Sequence, residues 1–139
     1  MNYPEFDTSA AWRAEELDRD RRWVFTVDDK DAAQLARAVK KAFDPERAHF
    51  DYTRDDFDLG PGMDVIAAAA REAHFGYGLS LIRGLPRAAL TAEEYKLLTW
   101  AIGLNLGVAR PQGKASHYMS EVRSAGMTYR AAGGRGYNT

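Results

Sequence analysis

The stretch Gly76-Tyr77-Gly78-Leu79-Ser80-Leu81-Ile82-Arg83-Gly84-Leu85-Pro86 limits the fold more than any other part of the sequence. Its apolar centre, Leu79–Arg83, reads as a strand, and Gly84-Leu85-Pro86 stops it because proline cannot carry a ladder onward. Just upstream, Val65, Ile66, Ala69, Ala73 and Phe75 recur at helical spacing. They predict a helix that Asp64 opens and that buries this side to about Phe75, where Gly76-Tyr77-Gly78 ends it. The order is therefore helix, glycine turn, strand. A dinucleotide-binding unit needs strand, glycine turn, helix, so that the phosphate meets a positive helix N-terminus. Here a phosphate would face the negative end of the helix, so these glycines are a stop-and-turn device.

Around that anchor the chain alternates short helices and strands. Trp12 and Leu17, with Glu15 and Glu16 between them, read as a short amphipathic helix, and Trp23–Val27 reads as a strand from its β-branched and aromatic content. Asp28 or Asp29 caps a helix to about Phe43, with Ala32, Leu35, Ala36, Val39 and Phe43 on one face and Lys40-Lys41 at its negative end. Residues 44–60, with Asp44-Pro45, Asp55, Asp56 and Asp58, read as a loop. Thr91-Ala92-Glu93-Glu94 is a capping box and starts a helix with Tyr95, Leu98, Ile102 and Leu106 on its apolar face, closed by Gly107. Tyr118–Arg123 is a further strand candidate, followed by a Gly- and Arg-rich loop at 124–136. The predicted order is α-β-α-α-β-α-β, an α+β arrangement with most of its sheet still to come.

Composition removes several classes of function. At 139 residues, 45% hydrophobic and 28% charged, the chain suits one globular domain. A formal net charge of −1 gives no field for nucleic acid or an anionic membrane. The absence of cysteine excludes disulfides, thiolate metal sites and a cysteine nucleophile. No stretch approaches the ~20 apolar residues of a membrane span, and the start Met1-Asn2-Tyr3-Pro4-Glu5 lacks a secretory pattern. The expected location is the cytoplasm.

Candidate catalytic side chains are few. The three histidines are His49, His74 and His117. His49-Phe50-Asp51 spells the His-x-carboxylate half of an iron site, a spacing that works on a strand because i and i+2 share a face. It lies, however, in a polar loop between two helices, which makes His49 a surface histidine. His74 suits a helix end, and His117 is the best placed of the three to line a pocket. Ser80 and Ser120 lack a nearby histidine or a G-x-S-x-G elbow. The cluster Arg19-Asp20-Arg21-Arg22 reads as a solvated face. Arg130 and Arg135, set among glycines with Tyr129 and Tyr137, would meet an anion if they act at all.

Taken in order, several segments resemble taurine dioxygenase-like (clavaminate synthase-like) oxygenases. These are Gly76–Pro86, matching G-x-G-x-x-x-[LIV]-R-G-[LF]-P; the Thr91-Ala92-Glu93-Glu94-Tyr95 helix start; and Gly103-Leu104-Asn105-Leu106-Gly107. Pro111-Gln112, Tyr118-Met119-Ser120-Glu121-Val122 and Arg135-Gly136-Tyr137-Asn138-Thr139 continue the series. The resemblance covers roughly residues 64–139. It implies an Fe(II)- and 2-oxoglutarate-dependent oxidation of a small-molecule C–H bond, on a double-stranded β-helix or jelly roll.

In that family the segment resembling Arg135–Thr139 runs into the strand bearing the H-x-D iron motif. A second histidine and the arginine that holds 2-oxoglutarate follow later. The resemblance thus implies that this chain contains the N-terminal helices and first strands of the jelly roll: 1–60 as an extension and 61–139 as the start of the core. It further implies that both cofactors are held by residues beyond it, with no catalytic or metal residue inside it. Carried over residue by residue, it implies substrate contacts at Gln112, Asn138 and Thr139, a structural role for Arg83 in bonding loop carbonyls, and an active-site entrance at 124–136. The expected partners are a small-molecule substrate, the rest of the same domain and, for the whole protein, other copies of itself. The rival expectation is a non-enzymatic α/β module that assembles with another polypeptide.

Overall fold

The computed structural model describes residues 11–111 and 118–119, together with the backbone of 123–124 and 137–138. It falls into two compact units, Met1–Val108 and Ala109–Thr139. The first contains helix α1 (Ala14–Arg19), strand β1 (Val24–Thr26), helices α2 (Asp29–Ala42) and α3 (Gly62–Phe75), strand β2 (Leu81–Arg83) and helix α4 (Ala92–Leu106). The second contains strands β3 (Arg123–Ser124) and β4 (Tyr137–Asn138), paired antiparallel. The mixed α+β class matches expectation.

Strands β1 and β2 lie side by side in parallel, with Val24 opposite Leu81, Phe25 opposite Ile82 and Thr26 opposite Arg83. Leu81 N–H donates to the Trp23 carbonyl at 2.8 Å, and Val27 N–H donates to that of Arg83 at 3.0 Å. Parallel strands need a long crossover, and α2 and α3 supply it. Past β2, Gly84 turns the chain at φ +81°, and any Cβ there would collide with the Val27 carbonyl oxygen. Only glycine lets the chain leave β2 this close to the end of β1.

The helices form around α4. Its N-terminus is the expected capping box: Glu94 N–H donates to Thr91 Oγ1 at 3.2 Å, and Thr91 N–H donates to the Glu94 carboxylate at 2.8 Å. Its buried residues are Leu97, Leu98, Trp100 and Ala101, because α2, α3 and the 49–56 turns all pack against it. The predicted stripe through Ile102 and Leu106 is displaced accordingly, and Leu106 is exposed. Leu35 and Val39 of α2, Ile66 of α3 and Val27 complete the centre of the core.

Helix α2 forms as predicted, with the Asp28 carboxylate accepting from Asp31 N–H at 2.8 Å. Helix α3 starts two residues before the predicted Asp64. Gly60 takes φ +63°, and Pro61 presents the helix-like φ of −63° that proline supplies without needing its missing N–H. Gly62 is buried against Leu35, so the first turn packs closely on α2. At the other end, Phe75 is 76% exposed, against the expectation that it belongs to the buried side. The buried stripe is Gly62, Ile66 and Ala69, and Phe75 lies across the helix from it.

The 44–60 loop is more ordered than its composition predicts, with 3₁₀ turns at His49–Asp51 and Arg54–Asp56. Of the predicted strand Tyr118–Arg123, only Arg123 is in a described strand. Tyr118 and Met119 are outside it, and 120–122 fall outside the described residues.

Candidate functional site

The substrate contacts implied by the resemblance fall at the edge of what the structure describes. Gln112 and Thr139 lie outside the described residues, as do His117, Arg130 and Arg135. Asn138 is in β4, its backbone opposite Arg123. Arg83 is exposed, and its guanidinium makes no hydrogen bond to another described residue. Its contribution within the first unit is the backbone carbonyl that receives Val27 N–H.

The iron-motif look-alike does not have the geometry that would make it a ligand pair. His49 and Asp51 form one 3₁₀ turn, where i and i+2 do not share a face as they would on a strand. His49 Nε2 instead lies 3.3 Å from the Glu93 carbonyl oxygen. His74 is an exposed helix-end residue, its ring edge-on to Phe75 at 4.3 Å. Among the described residues no group of three or more His, Asp or Glu side chains could hold a metal ion. The described donor set therefore does not fit an iron centre, and no chemical step follows from it.

Two polar clasps position the first unit instead. In one, the Arg47 guanidinium donates to both Asp56 carboxylate oxygens, at 2.9 and 3.1 Å, and to the Asp51 carbonyl, while stacking on Tyr52 at 4.0 Å. Thr53 N–H donates to the same carboxylate at 2.7 Å. Arg47 first, then Thr53, hold the Asp56 carboxyl down to about 2. The same bond raises Arg47 above its ordinary value. Trp100 Nε1 ties this loop to α4 by donating to the Tyr52 carbonyl at 3.3 Å. Composition alone hid this clasp, although Thr53-Arg54-Asp55-Asp56 is spelled like a cap, with an acid three residues after a threonine.

The other clasp joins the N-terminal segment to the α3–β2 turn. Tyr77 hydroxyl donates to Asp20 at 2.9 Å, Trp12 Nε1 donates to the Tyr77 carbonyl at 2.7 Å, and Arg22 stacks on the Tyr77 ring at 4.1 Å. Arg22 also pairs with Glu72 at 3.4 Å. The Arg22 backbone N–H and then the Tyr77 hydroxyl lower the Asp20 carboxyl, and the bond to Asp20 raises the Tyr77 phenol. The basic cluster is thus only partly a solvated face: Asp20 and Arg22 pin α1 against the turn, and the i, i+2 spacing gave no sign of it.

Open hollows lie among the described residues of this unit. One, of about 480 Å³, lies beside Phe57, Leu59, Gly60, Met63 and Asp64. Another, of about 630 Å³, runs along α3 beside Phe25, Ala68, Arg71 and Phe75. Neither brings together a nucleophile and a base. No helix among the described residues is long and apolar enough to cross a membrane.

No protein-family profile matches the chain. It is 23% identical over 117 residues to FR-33289 synthase from Streptomyces rubellomurinus (strain ATCC 31215), an alignment covering 84% of this chain and 34% of that protein. The chain spans about a third of the length of the curated relative it matches. This distant, partial similarity connects it loosely to an enzyme family.

Proposed function

We propose that this chain is the N-terminal part of an Fe(II)- and 2-oxoglutarate-dependent oxygenase with a taurine dioxygenase-like jelly roll, acting on a C–H bond of a small molecule. The observation that carries the reading is the co-linear run of motif segments from Gly76 to Thr139. Two further observations support it. The similarity to FR-33289 synthase extends over most of the chain while accounting for a third of that enzyme. And β1–β2 is a parallel pair with no third strand among the described residues, whereas parallel strands are stable when paired and covered on both faces.

In this proposal iron and 2-oxoglutarate are bound by polypeptide beyond Thr139, and this chain supplies the helical support and the pocket mouth, with Gln112, Asn138 and Thr139 toward the substrate. The 139 residues alone are inactive. Iron- and oxygen-dependent formation of succinate from 2-oxoglutarate by the complete protein tests the reading. Succinate is expected from the complete protein and none from residues 1–139. A complete protein that leaves 2-oxoglutarate untouched with iron, oxygen and a broad panel of small substrates overturns it.

The open strand pair and the bare Phe75 also suit a second reading, a module that assembles with another polypeptide. A reading frame that stops at codon 139 selects the module. A frame that continues into an apolar strand bearing H-x-D selects the oxygenase.

A further inference from the structure

Helix α3 turns its back on the core along one straight stripe. Asp64, Ala67, Ala68, Arg71 and Phe75 recur at i, i+3, i+4, i+7 and i+11, opposite the buried Gly62, Ile66 and Ala69. All five are exposed, and Phe75 presents the barest large aromatic ring among the described residues of the helices. The side chains of Asp64 and Arg71 make no hydrogen bond or ion pair to another described residue. Among the described residues this helix face has no partner, and its charge pattern points to an occupant.

The stripe is complementary to itself when reversed. Residues 64 and 71 are equally far from the midpoint between Ala67 and Ala68, where two small side chains allow close approach of a second helix. Two copies of α3 crossing antiparallel at that point set Asp64 of each against Arg71 of the other, twice. The same operation carries Phe75 to the level of residue 60 on the opposite copy. There the hollow of about 480 Å³ beside Phe57, Leu59, Gly60 and Met63 is open. Opposite charges and a small-residue centre both follow from one two-fold axis, and the hollow lies at the helix end that Phe75 approaches.

We propose that α3 is a self-association face: two copies of this chain pair antiparallel through α3, joined by two Asp64–Arg71 ion pairs and anchored by Phe75. The contact goes beyond the oxygenase reading and does not depend on it. One helix pair lies at the low end of specific interfaces, so the dimer is weak, with a dissociation constant on the order of 100 µM.

Sedimentation equilibrium of the 139-residue chain tests this. Wild type is expected to pass reversibly from monomer to dimer with concentration. Asp64→Lys alone and Arg71→Glu alone each place like charges together and weaken the dimer by roughly tenfold or more. An equimolar mixture of the two variants, or the double variant in one chain, restores opposite-charge pairs and recovers association to within roughly threefold of wild type. Phe75→Ser, at an exposed position, weakens it with the helix content by circular dichroism unchanged. A wild type that stays monomeric overturns the proposal. So does association that ignores the single charge reversals, as pairing through the β1–β2 edges would, or a defect that persists in the mixture and the double variant.

Discussion

Protonation of Asp56 is the clearest acid-sensitive event in the first unit. Its carboxyl is held at about 2 in the fold against an ordinary 3.8, chiefly by Arg47. A lowered folded value means the clasp contributes fully above the ordinary carboxylate value and is lost as pH falls from about 3.8 through about 2. Asp56→Asn is therefore expected to lower stability at pH 7 while making it less dependent on pH over that window, as followed by urea titration at several pH values. A wild-type pH slope retained in Asp56→Asn would remove Asp56 as its source. Gly84 gives a second residue-scale prediction. Left-handed φ costs a non-glycine residue roughly 1–3 kcal/mol, and the collision of its Cβ with the Val27 carbonyl adds to that. Gly84→Ala should lower the urea midpoint by a corresponding amount, and an unchanged midpoint would show that the turn after β2 is free to move. Under the oxygenase proposal, Gln112→Ala in the protein that turns over 2-oxoglutarate is expected to raise KM for the substrate with kcat nearly unchanged, measured by succinate release.

At the scale of elements, α4 is the part on which the rest depends. Removing its cap with Thr91→Ala should cost about 0.5–2 kcal/mol. Leu97, fully buried between helices, should cost about 2–5 kcal/mol on truncation to alanine. Chemical denaturation resolves both, and a larger loss at Thr91 than at Leu97 would contradict the burial of Leu97 at the centre of the core. Helices α2 and α4 were legible because their caps are written as Asp28 and as Thr91 with Glu94, and strand β2 because its flanking glycines and proline leave little choice. The face of α4 was not legible. A helix wrapped by two helices and a loop buries Leu97, Trp100 and Ala101 as well as Leu98, so periodicity cannot pick one side. Phe75 was misplaced for the opposite reason: hydrophobicity said inside, while the helical angle put it across from Ile66. The turns of 44–60 escaped because Arg47 and Asp56, far apart on the chain for a local motif, meet only once the loop closes. Of the candidate site, only the backbone of Asn138 falls within the described residues, so its chemistry rests on resemblance and not on geometry.

For the molecule as a whole, the defining feature is a parallel strand pair that packs against α3 and that no third strand joins among the described residues. Leu81, a strand leucine, remains 37% exposed. Along parallel strands successive amides point to opposite sides. With Val27 and Leu81 bonding inward, the amides of Thr26 and Ile82 point outward. Amide hydrogen exchange at these two positions, compared between residues 1–139 and any longer polypeptide that contains them, tests the proposed completion of this sheet most directly. Fast exchange is expected in the shorter chain and at least roughly a hundredfold protection in the longer one, where added strands would take up both outward amides. Equal exchange in the two, or full protection already in the 139 residues, would contradict it.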